Sequence, residues 1–366
     1  MKNRKIIIVR DGLSRDNGGA ITALLSLADN IKEDFSLKFV FLYDDTVDKA
    51  ALASYDFESI LPSFNISRVE RKIRLYTTTL WKLNAILKKE APDCVISFGS
   101  TSLTLVTMLK KIRGYKTIFS ERSDPNYCAR TISDRIRYYC YNYADRMVFQ
   151  VPGVRDYFNN KIQSKSVIIP NPVGIPDKQW GLEGTKDIVC VARMEMRQKR
   201  HDILFKAFQL VGDKLPEVKL HLYGDGGDMQ KTKDLAHDLG ISDRVVFHGN
   251  IKNVKEKIGE YRVSVLTSDY EGMPNTLLEA MALGMPVVAT DCSPGGAAYL
   301  IDNEENGILV PRGDSEAVGE ALLKVLSDDD FAIRIGKNAR ERAKQQSYER
   351  NKQEWLQVIS EVINLK

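Results

Sequence analysis

The chain has no histidine before His201, and its four histidines (His201, His221, His237, His248) lack the spacing of metal ligands, so surface or strand-end roles are expected for them. Its five cysteines, Cys94, Cys128, Cys140, Cys190 and Cys292, are scattered and odd in number, with no C-x-x-C pair. That spacing argues against a zinc site and a disulfide framework and for a reducing compartment. Apolar runs such as Ile6–Val9 are strand-sized, far short of the ~20 residues a membrane-spanning helix needs. Lys2, Arg4 and Lys5 run straight into a strand-like segment, so a cleavable leader is not expected. Repeats and low-complexity tracts are absent. A content of 43% hydrophobic and 28% charged residues excludes a disordered or fibrous chain and leaves a soluble one, expected in the cytoplasm.

Charge is unevenly spread. Residues 1–180 hold 28 Lys/Arg against 19 Asp/Glu, whereas the remainder holds 25 against 30. Basic clusters lie at Arg68, Arg71, Lys72 and Arg74, at Lys88 and Lys89, and at Lys110, Lys111, Arg113 and Lys116. A solvated face accounts for such clusters, and so does attraction to an anionic membrane surface, which would make the protein peripheral on the cytoplasmic face. No nucleic-acid partner is expected, because the clusters lack interleaved aromatics and any binding module.

A length of 366 residues suits two domains. Short β-branched runs alternate with helical periods, the pattern of βαβ units on a parallel sheet. The first series has strands at 5–9, 37–42, 94–98, 117–120, 146–150 and 167–169. A helix after the first strand carries Ile21, Leu24, Leu25, Ala28 and Ile31 on one face. Pro170-Asn171-Pro172 then blocks a helix and marks the connection. A second series follows at 187–192, 219–223, 244–248, 263–267 and 286–290. The expected fold class is therefore α/β, two Rossmann-like doubly wound parallel-sheet domains with a cleft between them. Residues 1–170 form the first domain and 171–346 the second. Residues 347–366 form a last helix, with Trp355, Leu356, Ile359 and Val362 on one face, packing back on the first domain. Ligands of such sheets bind beyond the carboxyl ends of the strands.

The most informative stretch is Ser268-Asp-Tyr-Glu-Gly-Met-Pro-Asn-Thr-Leu-Leu-Glu-Ala-Met-Ala-Leu-Gly284. A strand ends just before it; a helix starts near Pro274–Asn275 and stops at Gly284. Glu271 thus lies in a loop beside a helix N-terminus, whose free N–H groups and partial positive charge suit a diphosphate. Glu279 lies about one turn into the helix. Spacing alone fits two carboxylates gripping sugar hydroxyls, and equally a helix cap followed by an ordinary exposed position.

Glu271-Gly-Met-Pro-Asn-Thr-Leu-Leu-Glu279 resembles the E-x7-E signature of the family 4 retaining glycosyltransferases, and the surrounding order extends the likeness over nearly the whole chain. Gly18-Gly19 is similar to that family's glycine loop, Ala192-Arg193 through Lys199 to its G-R-x(n)-K-G segment, and Tyr223-Gly-Asp-Gly226 to its G-x-G turn. Ala289-Thr-Asp291 and Asn306-Gly-Ile-Leu-Val310 also stand in the family's order. The resemblance implies the GT-B fold and a metal-independent hexosyltransferase without cofactor. It makes Arg193, Lys199 and Glu271 catalytic: the two cations hold the diphosphate, and Glu271 lies against the donor sugar. Fixed cations there would stabilise charge building on the leaving nucleotide. It assigns donor binding to Gly18, Gly19, Gly224, Gly226, Gly249, Asn250, Ile251, Gly272, Met273, Pro274, Asn275, Thr276 and Leu277, and the ribose hydroxyls to Glu279. The family histidine after the fourth strand is missing, and Ser120-Glu-Arg-Ser-Asp-Pro125 stands in its place. Glu121 and Arg122 are candidates for that sugar or acceptor contact, or for a structural ion pair.

The resemblance also implies a donor that is a UDP-linked hexose or N-acetylhexosamine. The acceptor it implies is a glycan or polyprenyl-linked saccharide in cell-surface polysaccharide or glycoprotein-glycan assembly. A non-hydrolysing sugar-nucleotide epimerase and an inactive partner subunit share this architecture and stay open.

Overall fold

The computed structural model describes residues 4–12, 18–44, 47–61, 70, 74–128, 131–251 and 253–365. The chain divides into two compact units, one of Met1–Pro172 with Tyr348–Lys366, the other of Val173–Ser347.

The first unit is built on strands β1 (Lys5–Arg10), β2 (Ser36–Tyr43), β3 (Asp56–Leu61), β4 (Cys94–Ser97), β5 (Lys116–Glu121), β6 (Arg146–Phe149) and β7 (Ser166–Ile168), all parallel, in the order β3-β2-β1-β4-β5-β6-β7. Ile6, Ile7, Ile8 and Val9 are all fully buried, as expected of a central parallel strand covered on both faces. Helices α1 (Gly18–Ile31), α2 (Leu80–Glu90), α3 (Ser100–Arg113), α4 (Pro125–Cys128), α5 (Ile132–Cys140), α6 (Pro152–Asp156) and α7 (Asn160–Gln163) connect the strands. Local chemistry sets several boundaries. Thr131 and Asp134 form a reciprocal capping box at α5. Asp11 accepts hydrogen bonds from the backbone N–H groups of Thr101 and Ser102 at the start of α3.

Strand β3 was not expected from the sequence, and the reason is its composition. It sits at the sheet edge, where Asp56 and Glu58 break the apolar pattern while facing the ammonium of Lys38 on β2 at 3.4 and 3.5 Å.

The second unit has strands β8 (Ile188–Val191), β9 (Leu220–Tyr223), β10 (Val245–Gly249), β11 (Val263–Leu266), β12 (Val287–Thr290) and β13 (Ile308–Val310), again all parallel, in the order β10-β9-β8-β11-β12-β13. The three-residue β13 was also not expected as a strand. Its helices are α8 (Met196–Lys199), α9 (His201–Lys214), α10 (Met229–Asp238), α11 (Val254–Ile258), α12 (Asn275–Leu283), α13 (Gly296–Leu300), α14 (Ser315–Ser327) and α15 (Asp329–Lys344).

Helix α16 (Tyr348–Asn364) returns to the first unit. Trp355, Val358, Ile359 and Val362 join the buried cluster formed by α1 and the first sheet, and Asn351 donates to the carbonyl of Pro170. Trp355 is among the largest fully buried side chains. Trp355→Ala should therefore destabilise the protein by about 3–5 kcal/mol through the cavity left behind, read as a lowered urea midpoint.

His201, at the start of α9, lies neither at the surface nor at a strand end, the two places the sequence suggested: it is fully buried, and neither ring nitrogen has a hydrogen-bond partner among the described residues. Burial, aided by the nearby Lys199 charge, pulls its pKa down to about 4. The unfolded chain takes up this proton below about pH 6.5, while the folded protein resists it until about pH 4. Its contribution is complete above pH 6.5 and falls by about 3 kcal/mol as the pH drops to 4, with about 2 kcal/mol gone at pH 5. His201→Leu should lose less stability than the parent between pH 7.5 and 5, measured by urea titration at both values.

Candidate active site

Because the strands of the second sheet are parallel, the segments following them leave its carboxyl edge together. Ala192–Lys199 follows β8, Gly224–Gly226 follows β9 and Asn250–Ile251 follows β10. Ser268–Pro274 follows β11 and leads into α12, and Ser293–Gly295 lies between β12 and α13.

The two central segments are tied by charge. The ammonium of Lys199 is paired with Glu271 Oε1, and each side chain is only 12% exposed. Ser268 Oγ donates to the same carboxylate oxygen at 2.8 Å. Next to Lys199, Arg200 takes a left-handed conformation (φ 51°) that a residue with a side chain rarely adopts, where the family pattern has glycine. Its guanidinium offsets that strain. It donates to both carboxylate oxygens of Asp269 at 3.0 Å and to both of Asp202 at 2.9 Å. Three hydrogen bonds to backbone carbonyls complete the seam: Asp269 N–H donates to the Gln198 carbonyl, Gln198 Nε2 to the Tyr270 carbonyl, and Thr267 Oγ1 to the Lys199 carbonyl. Arg200, Asp269 and Ser268 were not singled out from the sequence. The oddity of an arginine in place of glycine was the available signal.

On the other side, Glu271 N–H donates to the Ser293 carbonyl at 2.8 Å. A Cβ on Gly296 would stand 2.7 Å from the Gly272 carbonyl oxygen, so only glycine lets the two loops touch. Cys292 beneath them is buried, and burial with the nearby Glu271 charge pushes its thiol up to about 12, which keeps it protonated. Pro274 caps α12, and the first turn of that nine-residue helix begins at Asn275 and Thr276. Met273 and Leu277 point into the core, so these two donor-binding candidates offer a ligand their backbone only.

Glu279 is 17% exposed and accepts from Lys255 of α11 at 2.8 Å. Arg193 is more than half exposed, and its guanidinium pairs with Glu195 at 2.8 Å. The glycines after β9 have a packing explanation. A Cβ on Gly224 would lie 2.0 Å from the Ala192 carbonyl oxygen, and one on Gly226 2.6 Å from that of Met194. Gly249 meets no such neighbour, but its φ of 67° favours glycine. Asn250 is exposed, and Ile251 packs partly against the core. His221 and His248 stack at the β9–β10 side, with Nδ1 and Nε2 2.9 Å apart and Asp187 3.2 Å from His221 Nε2.

In the first unit, Glu121 is 4% exposed and its carboxylate is fully engaged. It accepts from Tyr141 Oη at 2.5 Å, from Ser123 Oγ at 2.6 Å and from the backbone N–H groups of Arg122 and Ser123, with Arg137 at 3.6 Å. Arg122 donates to Ser120 and Asn171 and lies over the rings of Phe98 and Trp355, and burial draws its pKa down to about 9. Both side chains are thus held by hydrogen bonds within the first unit. Gly18 and Gly19 open α1, while residues 13–17 of their loop, like Arg68, Arg71 and Lys72, lie outside the described residues. Among the described residues, no group of three His, Cys, Asp or Glu side chains is placed to hold a metal ion.

Residues 176–342 match the family model described as glycosyl transferases group 1. The chain is 28% identical over 312 residues to the lipopolysaccharide 1,6-galactosyltransferase of Salmonella typhimurium, covering 80% of each protein. It is 26% identical over 360 residues to a GalNAc-alpha-(1->4)-GalNAc-alpha-(1->3)-diNAcBac-PP-undecaprenol alpha-1,4-N-acetyl-D-galactosaminyltransferase of Campylobacter jejuni, covering 95% of this chain and 97% of that one. Among solved structures, the lipopolysaccharide outer core galactosyltransferase WaaB in apo form superposes with a TM-score of 0.78 at 22% identity, over 98% of this chain and 99% of that one. Anabaena HepE in complex with UDP gives 0.83 at 18% identity, over 98% and 100%. Residues 176–342 thus form a domain of the glycosyl transferases group 1 family, and the chain is a glycosyltransferase of the GT-B fold.

Proposed function

We propose that this enzyme transfers a hexose or N-acetylhexosamine, with retention at the anomeric carbon, from a UDP-sugar to a saccharide carried on a lipid diphosphate. The setting would be cell-surface polysaccharide or glycoprotein-glycan assembly. The observation that carries the reading is the shielded Lys199–Glu271 pair at the carboxyl edge of the second sheet, one loop away from the N-terminus of α12. The lysine supplies fixed positive charge and the helix supplies the positive end of its dipole, which together suit a diphosphate. Glu271 and the backbone after it would face the sugar, and Glu279 would exchange Lys255 for the ribose hydroxyls. The exposed Arg193 is free to swing from Glu195 to a phosphate.

In the reaction, the bond from the anomeric carbon to the β-phosphate oxygen breaks while one to the acceptor oxygen forms on the same face. The acceptor hydroxyl proton passes to a β-phosphate oxygen, and UDP leaves. The protein contributes position and charge: Lys199 stabilises the diphosphate most when the sugar–phosphate bond is broken. With that charge fixed in the protein, no metal is required. Support for the donor comes from the complexes of HepE with UDP and UDP-glucose, and for the acceptor from the undecaprenol-linked substrate in the name of the Campylobacter relative.

Release of nucleotide diphosphate from a panel of UDP-, GDP- and ADP-sugars, with and without undecaprenyl-diphosphate-linked saccharide and with and without EDTA, tests the reading. UDP-sugars alone should turn over, acceptor should stimulate release, and EDTA should leave the rate unchanged. Lys199→Ala should lower kcat by about 10²–10³-fold, whereas Glu279→Ala should mainly raise the donor KM, by about 10–100-fold. A rate abolished by EDTA, or a Lys199→Ala variant with full kcat, would refute the charge assignment.

The Arg200 clasp generates a separate expectation. Arg200→Gly relieves the backbone strain but unties Asp269, so kcat should fall roughly tenfold with donor KM little changed. Arg200→Lys should fail to restore it, because an ammonium cannot reproduce the two-pronged contact. Steady-state kinetics on both variants check this.

A further inference from the structure

Helices α2, α3 and α5 lie side by side in the first unit, α2 against α3 and α3 against α5. Their outward faces are unusual for a protein surface. Of the twelve large hydrophobic side chains exposed among the described residues, six lie on these three helices, between 42% and 77% exposed. They fall in stripes: Trp81 on α2, Met108 and Ile112 one turn apart on α3, and Ile132, Ile136 and Tyr139 at helical spacing on α5. Lone exposed apolar residues are ordinary, but a cluster of this size on one layer of helices marks an interaction surface.

The polar residues between the stripes have one sign. Lys82, Lys88, Lys89, Lys111 and Arg135 are exposed. The acidic side chains of these helices are withdrawn. Glu90 is held by Lys5 and Lys38, and Asp134 by the α5 capping box and Arg137. No Asp or Glu on the three helices is exposed. The Lys111 ammonium rests 5.0 Å above the Tyr143 ring, whose hydroxyl is 2.9 Å from that of Tyr139. Aromatic rings with polar tips and long basic side chains on apolar stems are the groups that sit at a lipid headgroup boundary.

We propose that the outward face of α2, α3 and α5 docks the protein on an anionic lipid bilayer. Positive charge without a balancing carboxylate matches the negative headgroup layer, each basic residue near it strengthening attachment roughly fivefold. Trp81, Ile112 and Ile132 give a polyanion nothing to bind, whereas in a bilayer they enter the acyl boundary. The proposal adds a membrane to the lipid-linked acceptor reading without depending on it, since attachment requires no turnover.

Of the three tryptophans, Trp81 is exposed while Trp180 is half-buried and Trp355 buried, so fluorescence reports on this face directly. The unmodified full chain is mixed with phosphatidylcholine vesicles and with vesicles holding 30% phosphatidylglycerol, and followed by emission and co-sedimentation. The expected result is sedimentation and a blue shift with the phosphatidylglycerol vesicles alone, weakened by 0.5 M NaCl, with the shift lost in Trp81→Phe. Lys88→Glu/Lys89→Glu/Lys111→Glu should reduce binding at least thirtyfold, and Lys199→Ala should bind as the parent does, whatever its transferase rate. Sedimentation without a Trp81 shift would place the contact elsewhere and overturn the proposal. So would equal binding by the triple variant, or a Trp81 response to heparin with none to vesicles.

Discussion

Lys199 and Glu271 face each other with little access to water, and much of the second unit's carboxyl edge is arranged to keep them there. A shielded pair is favourable only when its remaining hydrogen-bonding capacity is filled and neither partner can withdraw. Ser268 meets the first condition from the glutamate's side. The second is met by Arg200, which accepts a strained backbone in order to grip Asp269 and Asp202, and by the hydrogen bonds of Asp269 N–H, Gln198 and Thr267 that join 198–200 to 267–271. The close packing of Gly296 on Gly272 then fixes the same loop from its far side. Removing a partner from such an arrangement leaves a buried charge as well as a missing bond, so the site and the stability of its surroundings are one problem.

On the proposed reading, this geometry also explains why the site is preorganised. The lysine is already aimed and partly desolvated before a donor arrives, so little reorganisation remains when charge develops on the leaving diphosphate. Glu271 is then the placeholder that keeps the lysine from collapsing elsewhere. Glu279 and Lys255 repeat the device at the other end of the helix turn, with the partner this time exposed and easily displaced.

Much of this could be read from the sequence, and what could not has physical causes. Parallel strands with both faces covered are written as β-branched runs, which is why β1, β4, β8 and β11 were found within a residue or two. Strand β3 was invisible because an edge strand with acids facing a neighbouring lysine does not look apolar, and β13 because three residues show no period. The motif loops were placed beside one another by topology alone, since segments that follow parallel strands emerge on one edge. Reasons for individual residues were less legible. Gly224 and Gly226 answer to the protein's own carbonyls, and Met273 and Leu277 answer to the core. Glu121 is engaged by its own turn, through Ser123 and two backbone N–H groups, and from across the fold by Tyr141, just past α5. Such partnerships depend on which side chains meet across the fold, and sequence spacing does not carry that information.

Helix α16 separates the order of synthesis from the order of folding. Residues 1–172 are made before the second unit, yet the core they belong to also needs Trp355, Val358, Ile359 and Val362, which are made after it. The second unit is complete by Ser347 and can close its own core before the first can finish. During that interval the first sheet lacks the cover that α16 provides, and its apolar face is exposed to whatever else is nascent or nearby. Of the two units, the one whose synthesis begins earlier therefore completes its core later, and it needs cover during the interval.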